Sequence, residues 1–162
     1  MVVTGPGNRA PESPSDEAPS GSAALTVLHV CSDFARQAIY NLLVPELGDL
    51  GNRQFAFVPV RTAQELQVNR NDALQMTSYR YSHILRPWHR LFFRTKIRTV
   101  LQDLCGNAGP ADCDVVHAHF LYSDGVVALR IKQQLGKPYI VAVRNTDVHA
   151  FMRLRPDLRW LC

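Results

Sequence analysis

Residues 113–151 read CDVVHAHFLYSDGVVALRIKQQLGKPYIVAVRNTDVHAF, and this stretch decides the fold. Asp114 to His119 is a short apolar run with two β-branched valines. Pro110-Ala111-Asp112 precedes it and a polar turn comes after it. That pattern favours a buried strand over a helix. Strand side chains alternate, so Val115, His117 and His119 share one face, and Val116 and Ala118 the other. Ser123 is suited to cap a helix in which Val126, Val127, Ile131 and Leu135 recur near helical spacing, and Gly136 supplies its stop. Pro138 then opens a second β-rich run, Tyr139 to Val143. Strand, helix and strand make a βαβ unit, and such units build parallel sheets.

The same grammar occurs upstream. Leu25 to Cys31 reads as a strand, and Ser32-Asp33-Phe34 as a turn in which Ser32 or Asp33 can cap the next helix. Ile39, Leu42, Leu43, Leu47 and Leu50 form one apolar helical stripe. Pro45 interrupts it, which predicts a kink or a restart, and Gly48 and Gly51 end it. Gln54 to Val60 is a second strand, Arg61 to Asp72 a polar loop, and Met76 to Tyr81 a short strand. Pro87 to Leu104 reads as a helix. Its Phe93, Ile97, Val100, Leu101 and Leu104 point to the core, while Trp88, Leu91 and Phe92 lie on the opposite side among basic residues. Gly106 to Asp112 is a loop, and Ala150 to Leu161 a helix or a loop around Arg155-Pro156.

The expected fold class is therefore α/β: a Rossmann-like parallel sheet with helices on both faces, over residues 24–162. Residues 1–23, rich in Pro, Ser, Gly, Glu and Ala, read as a disordered leader. Gly5, Gly7 and Ala10 match the dinucleotide fingerprint G-x-G-x-x-A only in letters. No strand precedes them, and Pro6 and Pro11 oppose the turn and helix the fingerprint needs.

With 162 residues the chain can build one domain with a real core, and 46% hydrophobic with 20% charged residues is ordinary for a soluble protein. No apolar run is long enough to span a membrane, and no secretory signal is seen, so the expected location is cytoplasmic. Cys31, Cys105, Cys113 and Cys162 are irregularly spaced, which argues for reduced thiols and against a zinc site made of cysteines. The net charge of +4 is unevenly placed: Ser78 to Arg98 alone carries Arg80, Arg86, Arg90, Arg94, Lys96 and Arg98 with no acid.

In an open parallel sheet, ligands collect at the carboxyl ends of the strands. Here the first such end carries His117, His119, Ser123 and Asp124, and the second Arg144, Asn145, Thr146, Asp147 and His149. The run from Asp114 to Val148, with H-x-H at a strand end, D-G opening the next helix, and a G-x-P strand closing in a polar turn, resembles the amino-terminal domain of glycosyltransferase family 4. That family has the GT-B fold, and the resemblance extends from about Ala24 to the carboxyl terminus. It implies that this chain is the acceptor-side half of a retaining glycosyltransferase. Such an enzyme moves a sugar from a nucleotide-sugar donor to a glycan or lipid-linked acceptor, usually without a metal or other required cofactor. The donor nucleotide would sit mainly on a carboxyl-terminal domain whose acidic motif this chain lacks. The chain is thus expected to be an incomplete half, inactive by itself, in a polysaccharide-synthesising system.

On that resemblance, His119 and Arg144 are the expected catalytic contacts near the transferred sugar. Ser32, His117, Asp124, Gly125, Asn145, Thr146 and Asp147 are the expected substrate-binding residues. Two departures stand out. The loop Cys31 to Gln37 has no glycine where many members have several, which opposes close backbone approach to a phosphate. Arg144-Asn145 also replaces the usual His-Gly. Arg144 either grips a phosphate or anionic sugar, or pairs with Asp147.

Plainer alternatives stand beside these. His117 is as well explained as a buried strand histidine bonded to a carbonyl, and Asp124 as a helix-terminal charge. His117 and His119 with an aspartate also fit a metal-dependent hydrolase, although no strong metal motif is present and no metal is expected. Arg86, Trp88, Arg90, Leu91, Phe92 and Arg94 are the expected membrane or lipid-acceptor contact, at the inner face of the plasma membrane. The alternatives for that segment are a non-catalytic module docking on a membrane or partner, and a solvated basic helix. Nucleic acid is not expected, because no nucleic-acid motif is present.

Overall fold

A computed structural model describes residues 24–106, 109–151 and 153. Five parallel strands form one sheet: β1 (Thr26–Val30), β2 (Arg53–Pro59), β3 (Thr77–Ser82), β4 (Val115–Ala118) and β5 (Tyr139–Val141). Three α-helices connect or cover them: α1 (Tyr40–Asp49), α2 (Phe93–Cys105) and α3 (Ser123–Leu135). The sheet order is β3-β2-β1-β4-β5, and every pairing is parallel. The fold is an α/β, Rossmann-like arrangement, with its order reversing between β1 and β4.

Alternation along the strands sends side chains to two helical layers. Leu28 and Val30 of β1, Phe57 of β2 and Val116 and Ala118 of β4 pack with Phe93, Ile97, Val100 and Leu104 of α2 and Val126, Val127, Ala128 and Ile131 of α3. Cys31, Ala56 and Val58 on the other face pack with Phe34 and with Tyr40 and Val44 of α1. Both faces of the central strands are thus buried, which is why their sequences read as nearly continuous apolar runs.

Most elements fall where the sequence places them, and three differ in instructive ways. First, the stripe expected on α1 is not the buried one. Tyr40 and Val44 face the sheet, whereas Ile39, Leu42 and Leu50 are 47%, 66% and 73% exposed. Tyr40 sets the rotation by stacking on Phe34, with ring centroids 4.9 Å apart. The helix also runs through Pro45 without a restart. Second, the stretch from Pro87 is not one helix. Pro87–Arg90 is a 3-10 turn, and Phe92 (φ −96°, ψ 75°) leaves the helical region before α2 begins. That break lets Phe93 enter the core while Leu91 and Phe92 stay outside. Third, Ser123 is the first residue of α3 rather than its cap: Tyr122 occupies the cap position and makes no side-chain capping bond. The expected stop is seen at Gly136, whose φ of +70° is a left-handed conformation that favours glycine. The expected leader over 1–23, the fingerprint-like letters within it and most of the expected helix or loop over 150–161 lie outside the described residues.

Candidate functional site

At the point where the strand order reverses, the carboxyl ends of β1 and β4 lie side by side. His29 is directly opposite His117 in the parallel register, and beyond the strands His119 N donates to Val30 O at 3.2 Å. On the other side of β4, Ala142 N donates to Ala118 O at 2.8 Å. Three loops are thereby brought together: the one after β1 (31–34), the one after β4 (119–122) and the one after β5 (142–146). Ser32, His117, His119, Asp124, Gly125, Arg144, Asn145, Thr146 and Asp147, singled out from sequence, all lie on these loops or the ends of the elements they join.

Two buried aspartates organise the loops. Asp124, at the start of α3, accepts a hydrogen bond from Ser32 Oγ at 2.6 Å and from Ser32 N at 3.2 Å, and Ser123 Oγ donates to it at 2.9 Å. It is fully buried. Loss of hydration raises its carboxyl to about 6, a rise that nearby Lys96 and the serine bonds oppose. Lys96 itself is buried on α2, and desolvation lowers its ammonium, with Asp124 counteracting. Asp147 plays the matching part for the β4 and β5 loops: one of its oxygens accepts Leu121 N at 3.1 Å and Arg144 N at 2.9 Å. Gly125 is where it is for lack of space. A β-carbon there would meet Phe120 O and Val141 Cγ1, each at 3.3 Å.

The side chain of Arg144 turns to His119 O, to which Nε donates at 3.3 Å, and makes no ion pair with Asp147. Arg144, Ser32 and His117 are half-buried, and Asn145 and Thr146 are exposed. These five can meet a ligand directly. His119, Asp124, Gly125 and Asp147 are buried.

His119 belongs to a cluster of three imidazoles. His29 Nδ1 is 3.0 Å from His119 Nε2, and the rings of His117 and His119 are centred 4.2 Å apart. Tyr40 meets His119 edge-on at 5.1 Å. Burial, followed by repulsion from His117, lowers His29 to about 4. Burial, then His117, His29 and Arg144, lowers His119 to about 2. Burial and Arg144 lower His117 as well. All three are therefore neutral at pH 7, with lone pairs available. Gln54 fixes one tautomer: its amide nitrogen donates to Val44 O at 2.8 Å, so its oxygen faces His29 Nε2 at 3.1 Å. His29 Nε2 must carry the proton, and His29 Nδ1 is a bare lone pair.

Reasoning from sequence missed His29, Gln54, Tyr40 and Lys96. His29 carried one usable signal: it is the single ionisable residue in β1, on the strand that a Rossmann-like order sets beside H-x-H. Lys96 carried none, since it sits in a basic run that reads as solvated.

The segment expected to meet a membrane projects from the same end of the sheet. Trp88, Leu91 and Phe92 are 53%, 76% and 60% exposed, beside exposed Arg86, Arg90 and Arg94. His89 in the same turn is buried, and its Nδ1 accepts Arg86 N at 3.2 Å, which holds the turn in shape. No helix among the described residues is long and apolar enough to cross a membrane. Comparison with protein-family models, with curated proteins and with solved structures returned no match to this chain.

Proposed function

We propose that this chain supplies the acceptor-side half of a glycosyltransferase cleft, one that moves a sugar from a nucleotide-sugar donor to a glycan or lipid-linked acceptor. One observation carries the reading. The carboxyl ends of β1, β4 and β5 converge at the reversal of a 3-2-1-4-5 parallel sheet, and two buried aspartates hold their loops so that Ser32, Arg144, Asn145 and Thr146 remain accessible. That is where such sheets bind ligands, and the accessible groups are hydroxyl, amide and guanidinium, the chemistry that recognises sugar hydroxyls and phosphate oxygens.

Within this reading Arg144 reaches the transferred sugar or a phosphate beside it. His119 is a positioning residue: its carbonyl accepts Arg144 Nε, and its ring underlies the loop. The exposed Trp88, Leu91 and Phe92, among Arg86, Arg90 and Arg94, support contact with an acceptor held at a membrane surface, where aromatics enter the boundary and cations meet anionic headgroups. The described residues would engage the acceptor, and the donor nucleotide would be bound mainly by a second domain.

The test is an NMR titration of the 15N-labelled chain with oligosaccharides and with polyprenyl phosphate in detergent. Shifts confined to the amides of Ser32, Arg144, Asn145 and Thr146 are expected, and Arg144→Ala should weaken them by about tenfold, the loss of one charge-assisted contact. If every acceptor class leaves those amides unmoved, the reading fails.

A further inference from the structure

We propose that His29, His117 and His119 form a three-imidazole site for a borderline transition-metal cation, zinc(II) foremost, bridging β1 and β4 beneath the Arg144 loop. The three rings each offer a nitrogen, and those nitrogens lie within 4.8 Å of one another. His29 Nδ1 and His119 Nε2 are 3.0 Å apart. In a tetrahedral site with metal–nitrogen bonds of about 2.0–2.1 Å, ligand nitrogens are roughly 3.3 Å apart, so this pair needs to open by only a few tenths of an ångström. The third arm, His117, is half-buried, and a rotamer shift of roughly 1–1.5 Å would bring its nitrogen to the same spacing.

The surroundings resemble a ligand shell rather than an accidental stack. Gln54 Oε1 accepts from His29 Nε2, and Gln54 is itself held by Val44 O and Thr77 Oγ1. A metal-ligating histidine ordinarily has such a partner on its other nitrogen, which fixes the tautomer and aims the free lone pair. His119 Nδ1 is buried and has no hydrogen-bond partner among the described residues. In the arrangement seen, the proton on His119 Nε2 is donated to His29 Nδ1. On metal binding that proton moves to His119 Nδ1, both rings stay neutral, and each turns a lone pair to the ion.

The donor set also selects the metal. Three imidazoles with no carboxylate suit zinc, copper or nickel and reject magnesium and calcium, which need oxygen ligands. Three protein ligands leave a fourth position, on the half-exposed His117 side. Arg144, close enough to depress both His117 and His119, disfavours a bare dication and favours one whose fourth ligand is an anion such as hydroxide. The site does not depend on the sugar-transfer reading.

The experiment is a cobalt(II) titration of the full 162-residue chain, followed by zinc(II) displacement. One equivalent of cobalt should give the intense visible bands of tetrahedral coordination, and zinc should abolish them. His117→Asn, at a half-exposed position, should keep the circular dichroism of the fold and lose the bands. Gln54→Leu should weaken binding by about 10–100-fold. His83→Asn, at an exposed histidine outside the cluster, should change nothing. The proposal is overturned if the wild-type chain shows no tetrahedral bands, or if the bands survive His117→Asn.

Discussion

The two faces of the central sheet are equally buried and are held together by different physics. Toward α2 and α3, Leu28, Val30, Phe57, Val116 and Ala118 lie in a mainly apolar cluster and are stabilised chiefly by removal of that surface from water, with the Arg80 guanidinium 5.7 Å from the centre of the Phe57 ring. Toward α1, the same strands turn in Cys31, His29, Gln54 and His119, all fully or nearly fully buried. There the polar groups depend on named partners: His29 on Gln54 and His119, and Gln54 on Val44 O. An apolar face tolerates any filler of similar volume, whereas a bonded face requires its partners. The bonded face lies at the reversal of strand order, where ligands bind, so stability has been built there from groups that can also do chemistry.

This contrast can be broken most forcefully on the apolar side. Phe57→Ala should cost about 3–5 kcal/mol in chemical denaturation, because its ring is fully buried and the cavity cannot close against two strands and α2. Phe57→Leu should recover most of that loss, since volume dominates on that face and only the Arg80 contact with the ring is given up.

On the bonded side the ordering should reverse: shape conserved without hydrogen bonding is not enough. His29→Leu, close in volume, should still destabilise by about 1–3 kcal/mol, because Gln54 Oε1 and His119 Nε2 lose their partners. His29→Gln should recover part of it. Equal costs for the two variants would show that the cluster is packed rather than bonded.

The pH dependence sharpens the same point. Asp124 is raised to about 6 in the folded state, above its usual 3.8. Its contribution is fully present below pH 3.8 and is lost as pH rises through about 6. The groups facing it are Lys96 from α2, Ser32 and Cys31 from the β1 loop, and Tyr40 from α1. Relative to Asp124→Asn, the wild-type chain should therefore lose on the order of 2–3 kcal/mol of stability between about pH 4 and pH 7. A difference that stays flat across that range would mean that the serine bonds outweigh desolvation.

The smallest effect on stability is expected outside both faces. Trp88→Ala and Leu91→Ala should change unfolding by no more than about 0.5 kcal/mol, because neither side chain is buried. The pair should nevertheless reduce sedimentation with anionic vesicles. If sedimentation is unchanged, this segment is not the membrane contact.

How far the sequence carries depends on the range of the interaction. β4, α3 and β5 were legible because alternation, helical spacing and Gly136 are local signals, and the parallel class came from the βαβ order. The rotation of α1 was not legible, because the ring of Phe34 selects which of several apolar residues faces inward. The interruption before α2 was not legible either, since it lies in the backbone at Phe92 (φ −96°, ψ 75°), although helical spacing did send Phe93 inward and Phe92 outward. Among the site residues, His117, His119, Asp124, Arg144 and Asp147 were marked by their place at strand ends, but which of them would be buried was not.

By itself, then, the sequence determined the elements, their parallel class and the end of the sheet where polar side chains gather, since each depends on neighbours a few positions apart. The tertiary structure alone decided that His29, 88 residues before His117, would complete a cluster with it. It alone decided that Lys96 would be buried near Asp124, and that His119 would be enclosed. Burial and the meeting of distant groups are properties of the packed sheet, and no local pattern in the chain encodes them.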